Sequence, residues 1–146
     1  MERWHDGAPW YAELSHTADV GFVVTAPDLP SLFARAGVAL LAAVVEPASV
    51  RLVSRWPVSA TAAGDDATLL HAWLSTLVLE LPVHGRVGAG IDAVTLAPGR
   101  VEAIVAGEAV YPARHVLHGE VKAVTWHGFA LERISTGWRA QVILDV

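Results

Sequence analysis

Apolar residues recur along this chain with two different periods, and the alternation between them marks out the elements. Leu29, Leu32, Phe33, Ala36, Leu40 and Val44 are spaced as one face of a helix, with Arg35 on the opposite side. Asp28 is suited to cap that helix, because its carboxylate can accept an amide of the first turn that has no partner within the helix. Pro30 is tolerated in the same turn for the same reason, and Glu46-Pro47 closes the segment. Leu70, Trp73, Leu74, Leu77 and Leu81 predict a second helix, opened by Asp65 or Asp66 and ended by Pro82 and Gly85.

Elsewhere the pattern is nearer period two, over residues 11–14, 21–25, 51–60, 86–96, 100–106, 120–126, 129–134 and 138–144. Pro57 places the 51–60 strand at a sheet edge or a strand end, since proline cannot donate to a ladder. Pro98-Gly99 and Thr136-Gly137 are turn signals. Two helices set among strands, followed by a strand-rich half, predict an α+β fold rather than a doubly wound parallel sheet. No linker, low-complexity tract or repeat interrupts the pattern, so residues 1–146 read as a single domain.

Composition narrows the function classes. The chain is 53% hydrophobic and 17% charged, which argues against disorder. It has no cysteine, which removes disulfides, thiolate metal sites and cysteine nucleophiles. The first residues carry no apolar signal core, and the run 38–45 is too short to span a bilayer, so a soluble cytoplasmic protein is expected, with no membrane association. The net charge is −5, with one lysine and nine scattered arginines. Nucleic-acid binding depends on clustered cations that neutralise phosphates, so tight direct binding of RNA or DNA is not expected. An acidic chain can still serve a nucleic-acid enzyme by binding the enzyme.

The sequence has no Gly-x-Gly-x-x-Gly, no Walker loop and no Gly-x-Ser-x-Gly elbow. His115 and His118 stand three apart on a loop after Pro112, with no nearby acid or thiol in the sequence, and read as two loop histidines rather than a zinc site. Lys122 alternates with Glu120, Val124 and Trp126 along the 120–126 strand, which suits a solvated strand lysine. The last segment is different. Strand alternation runs to Asp145 and Val146, placing a side-chain carboxylate beside the α-carboxylate on structured backbone. Asp19, in the short connection Ser15-His16-Thr17-Ala18-Asp19-Val20, is a further acid, and an Asx-turn would also explain it. If Asp19, Asp145 and Val146 converge, they offer only hard oxygen donors, which select Ca²⁺ or Mg²⁺ over zinc.

These residues together resemble the archease family. The resemblance is carried by His16-Thr17-Ala18-Asp19-Val20-Gly21, by Asp28-Leu29 with Leu32-Phe33 and Ala36, and by Leu69-Leu70 with Trp73-Leu74. It continues through Arg114-His115, and is strongest at Glu120-Val121-Lys122-Ala123-Val124-Thr125-Trp126-His127-Gly128 and at Val142-Ile143-Leu144-Asp145-Val146. The blocks keep the family's order over nearly the whole chain.

The resemblance implies a strand–helix–strand–strand module with a second such module inserted, two main helices packing on mostly antiparallel sheet. It also implies a non-catalytic partner of an RtcB-type RNA ligase, promoting ligase guanylylation and multiple turnover in tRNA splicing or RNA repair. A metal site is implied at Asp19, Asp145 and Val146, holding Ca²⁺, or Mg²⁺ in the cell. His16, Lys122 and His127 are candidates for the face that meets the ligase, and a monomer is favoured. Four positions depart from the family pattern: Ser15 and the pair Ser75-Thr76 where acids are common, and Trp126 where tyrosine is frequent. The competing readings are a metal-dependent hydrolase, with His16 as its base, and a chaperone-like binding module whose metal is structural.

Overall fold

The computed structural model describes residues 1–14 and 20–146. The chain runs β1 (Glu2–Arg3), β2 (Tyr11–Leu14), β3 (Val20–Ala26), α1 (Leu29–Val44), a 3₁₀ turn (Pro47–Ser49), β4 (Ser54–Thr61), α2 (Asp66–Val78), β5 (Arg86–Ala97), β6 (Arg100–Ala109), β7 (Ala123–Val124), β8 (Ala130–Ile134) and β9 (Gly137–Asp145). One sheet has the order β1-β5-β6-β4, and the other has the order β2-β3-β9-β7, with β8 also on β9. The pairings described are all antiparallel. The run β4-α2-β5-β6 is therefore inserted into an outer strand–helix–strand–strand run made of β3, α1, β8 and β9, and the α+β expectation holds.

Both helices begin where their caps require. Asp28 accepts the Ser31 amide at 2.8 Å, and Asp65 accepts the Thr68 amide at 2.9 Å and its hydroxyl at 2.7 Å. Each helix touches both sheets, α1 against β1, β3, β5 and β9 and α2 against β4, β6, β7 and β8. That position explains the Ala, Gly and Val content of α1, where small side chains let packed elements approach from several sides. Gly37 is a tight point of α1: a β-carbon there would stand 2.5 Å from Ile91 Cδ1 of β5 and 3.0 Å from Leu77 Cδ1 of α2. Trp73 of α2 is fully buried, and its indole N–H donates to the Phe33 carbonyl of α1 at 3.0 Å. Arg35 does not simply face solvent. It pairs with Glu2 at 3.0 Å, donates to the Thr25 carbonyl at 2.9 Å and lies over the Trp10 ring.

Three expected boundaries move, each for a local reason. The strand expected over 51–60 starts at Ser54, because the Arg51 amide donates to the Glu108 carboxylate instead of a ladder. Pro57 is on an edge strand, as expected. The second helix stops at Val78, and Leu81 falls in the turn beyond it; Pro82 has no N–H with which to continue the helix. The strand expected over 120–126 shrinks to Ala123–Val124, and consequently Lys122, Val124 and Trp126 do not share a face: Val124 is buried while the other two are exposed. The chain leaves the ladder in a turn closed by the Phe129 amide on the Trp126 carbonyl at 3.2 Å, with Gly128 at φ 72°. It then rejoins β9 as β8.

Candidate functional site

The register of β3 and β9 decides what lies at one end of the second sheet. Val20 is the Cα partner of Leu144, and on the other side of β9 Val124 pairs with Leu144 and Ala123 with Asp145. The Lys122 amide donates to the Asp145 carbonyl at 2.8 Å and the Thr125 amide to the Ile143 carbonyl at 3.1 Å. Lys122, Asp145 and Val146 are thereby held at one sheet end, and all three are exposed. His127 is exposed in the adjoining turn, its amide donating to Thr125 Oγ1 at 2.9 Å.

Of the residues singled out in the sequence, Asp19 and His16 lie outside the described residues, as does Ser15. Among the described residues no three His, Asp or Glu side chains gather closely enough to hold a metal. What the described part supplies is Asp145 with Val146 after it, at the exposed end of a strand whose backbone is fixed on both sides. Carboxylate and main-chain oxygens suit a hard cation, so this part of the donor set fits Ca²⁺ or Mg²⁺.

Beside that sheet end stands an aromatic group built around Trp126, whose partner His71 carries no signal of that pairing in the sequence. His71, on α2, brings one ring nitrogen, Nε2, to 2.8 Å from the Val124 carbonyl of β7. A carbonyl only accepts, so Nε2 carries the proton and Nδ1 faces the Ser75 hydroxyl at 3.5 Å. The imidazole lies parallel to the Trp126 indole, with centroids 3.8 Å apart and planes 6° apart, and Phe129 meets both rings edge-on. Ser75, one of the departures from the family pattern, thus touches the histidine that backs Trp126. Thr76, the other, bonds its own helix through the Ala72 carbonyl at 2.9 Å. The i, i+4 spacing of His71 and Ser75 was visible in the sequence, but the distant Trp126 that completes the group was not.

The Arg114-His115 block has a different task. Glu108, near the end of β6, is buried and accepts from Arg114 at 2.5 and 3.0 Å, from the Arg51 amide at 2.7 Å and from His115 Nε2 at 2.8 Å. His115 Nδ1 accepts the Tyr111 amide at 2.9 Å, so both ring nitrogens are occupied and neither is offered to a metal. His118 faces Glu46 at 3.6 Å. The two histidines are loop residues, as expected, but each does have an acid nearby, brought from 7 and 72 residues away in the chain. Hydrogen bonds from Arg114, with smaller contributions from the Arg51 amide and His115, hold the Glu108 carboxyl well below the usual carboxylate range against the cost of its desolvation. A lone acid in the apolar run Val105-Ala106-Gly107-Glu108-Ala109 was the sequence signal for this ion pair.

Among the described residues no helix is long and apolar enough to cross a membrane. The fold is similar to the solution structure of Methanobacterium thermoautotrophicum protein 1598, with a TM-score of 0.79 at 24% identity, covering 94% of this chain and 99% of that one. It is also similar to the crystal structure of a Thermotoga maritima protein described as an archease and possible chaperone, with a TM-score of 0.63 at 15% identity, covering 91% and 94% of the two chains. In sequence, the protein archease of Methanosarcina acetivorans is 31% identical over 140 residues, 93% of this chain and 95% of that protein. The protein archease of Methanopyrus kandleri is 31% identical over 141 residues, 94% and 99% of the two chains. Residues 11–146 match the archease protein family (MTH1598/TM1083), and the chain belongs to that family.

Proposed function

We propose that this protein is a non-catalytic partner of an RtcB-type RNA ligase, promoting ligase guanylylation and repeated turnover in tRNA splicing or RNA repair. Membership of the archease family carries the reading. A partner that makes no bond acts by binding one state of the ligase more tightly than another, and thereby shifts the population between them. That requires a fixed face rather than a pocket for chemistry. The end of the second sheet, where Lys122, Ala123 and Asp145 are tied together, is suited to the task.

In this reading Asp19, Asp145 and Val146 hold a divalent cation, Ca²⁺ or Mg²⁺, which when bound offsets their mutual repulsion and adds a positive centre to an acidic surface. The pairing of Val20 with Leu144 supports it, because each of these two residues is the chain neighbour of one of the two aspartates. His16, Lys122 and His127 belong to the same ligase-facing surface. The description of the Thermotoga protein as a possible chaperone favours, as a second reading, a general binding module with a structural metal.

Multiple-turnover ligation separates the two. With the ligase in excess of neither substrate nor nucleotide, the intact protein is expected to raise the number of turnovers at least several-fold. Asp145→Ala and Asp19→Ala are expected to remove most of that gain while the far-ultraviolet spectrum is unchanged. Absence of any stimulation by the intact protein, together with suppression of aggregation of unrelated unfolded clients, would instead establish the chaperone-like reading.

A further inference from the structure

A tryptophan left 57% exposed keeps much of a large apolar ring, with its polar N–H, in contact with water. Trp126 is such a residue, yet it is not a loose side chain. One indole face is covered by His71 at 3.8 Å, and Phe129 braces the edge at 5.5 Å. His71 is locked in turn by its donation to the Val124 carbonyl at 2.8 Å and by Ser75. The backbone on each side is anchored as well, by the Thr125 amide on Ile143 and the Phe129 amide on Trp126. The rotamer entropy that a partner would otherwise have to remove is already removed in the free protein. What remains is an indole held still with one face open.

We propose that Trp126, backed by His71 and Phe129, is the central anchor by which this protein docks on the ligase, taking an aliphatic or guanidinium side chain of that protein against its open face. The inference rests on the proposed function and adds the contact residue to it. Three observations select a protein as the occupant. The platform is continuous with the sheet end bearing Lys122 and Asp145, since residues 122–125 are bonded to the last residues of β9. Preorganised tryptophans are the residues that most often dominate protein interfaces, whereas isolated exposed aliphatics rarely do. A nucleobase would also stack on indole, but single-strand binders line the path of the phosphates with cations. Here the chain carries a net charge of −5, and Lys122 and His127 are the only two basic side chains in the segment 119–131. A guanidinium gains in addition from the π-face of the ring.

His71 acts through Trp126 and is a positioning residue. Its removal should loosen the indole without deleting it, so the loss should fall between that of the wild type and that of Trp126→Ala.

The test measures the affinity of the purified ligase for the wild type, Trp126→Ala, Trp126→Phe, His71→Ala and Val53→Ala, by calorimetry, alongside multiple-turnover ligation. Val53 is 72% exposed and controls for loss of any exposed apolar side chain. The expected result is a Kd raised at least 10-fold by Trp126→Ala, at most 3-fold by Trp126→Phe, and unchanged by Val53→Ala. Each variant is first required to keep the far-ultraviolet spectrum of the wild type. His71→Ala is expected to raise the Kd and to sharpen the change in indole fluorescence on binding. If the wild type binds and stimulates the ligase while Trp126→Ala does so equally well, the anchor is wrong and the proposed function stands. Failure of the wild type itself to bind overturns both. Titration with GTP and with a single-stranded oligoribonucleotide forms the last arm: quenching of Trp126 fluorescence by either, lost in Trp126→Ala, would make the platform a nucleobase site and overturn the protein anchor.

Discussion

Individual residues divide into those whose role is local and those whose partner arrives from elsewhere in the chain. The caps Asp28 and Asp65 are legible in the sequence because their acceptors serve amides three residues away. Glu108 is not, because its meaning depends on Arg51, Arg114 and His115 closing around it. The same holds for Glu80, buried in Leu79-Glu80-Leu81, which is paired with Arg86 at 2.5 Å and accepts the Trp56 indole N–H at 3.1 Å. Burying a charge without a partner is costly, so a lone acid in an apolar run is itself a sign that a cation folds back onto it, though not of which one. Glu108 also sets an acid limit. Its carboxyl titrates well below the ordinary 4.5 in the folded protein, through Arg114 first, so the unfolded chain binds the extra proton. Its contribution is therefore full above pH 4.5 and is lost as the pH falls below that value toward the folded pKa. Urea midpoints measured from pH 7 to pH 3 should fall steadily below pH 4.5. In Glu108→Gln the midpoint should be lower at pH 7, and the fall between pH 5 and pH 3 should be shallower than in the wild type. An equal fall in both would assign the acid sensitivity to other groups.

At the scale of elements, periodicity identified both helices and most of the strands, because each buries one or more faces against the same core. It failed where a neighbour, not the segment itself, decides the ending. The 120–126 segment alternates well enough for a full strand, but β9 offers its edge to β7 and β8 in succession, and the intervening turn lifts Trp126 out of the ladder. The alternation thus pointed to a solvated strand at the place where the exposed indole stands. Helix α1 gives the opposite lesson: its glycine looks like a weakness in a helix, where Gly costs about 1 kcal/mol relative to Ala. Contact with Ile91 and Leu77 shows why it is there. Gly37→Ala should gain that intrinsic helix preference and still destabilise the protein by up to about 2 kcal/mol, because a methyl group at 2.5 Å from Ile91 Cδ1 makes the buried ends of Ile91 and Leu77 shift. Denaturant unfolding of the single variant checks the sign. A more stable protein would mean that β5 and α2 yield more easily than their packing implies. Restoring stability with Gly37→Ala combined with Ile91→Val would locate the strain at that contact.

For the molecule as a whole, the insertion of one strand–helix–strand–strand module into another raises the question of whether the two fold separately. Among the described residues the two sheets share no strand. The helices do the joining: α1 leaves β3 of one sheet and packs on β5 of the other, while α2 leaves β4 and packs on β7 and β8. A single core cluster accordingly contains Phe22, Val24, Val142 and Leu144 from one sheet and Trp56, Ile91, Val101 and Val105 from the other, with Phe33 and Trp73 between. Removing either module would expose the face that the other module's helix packs against it, so neither has a closed core by itself. Unfolding in urea is therefore expected to be one cooperative transition, with the same midpoint by far-ultraviolet dichroism and by tryptophan fluorescence. The probes are well placed to detect a difference, since Trp56 reports β4 of the inserted module and Trp10 lies against the outer one, its carbonyl accepting the Thr25 amide of β3. Comparing Trp10→Phe with Trp56→Phe makes each signal specific to one module. Midpoints that separate would show two folding units and would free the sheet end at Lys122 and Asp145 to respond independently of the inserted half. Coincident midpoints would mean that binding at that sheet end is felt through α1 and α2 by the entire chain. In that case saturation with either proposed ligand, Ca²⁺ or the ligase, should raise both midpoints together, by the amount that the affinity and the free ligand concentration dictate.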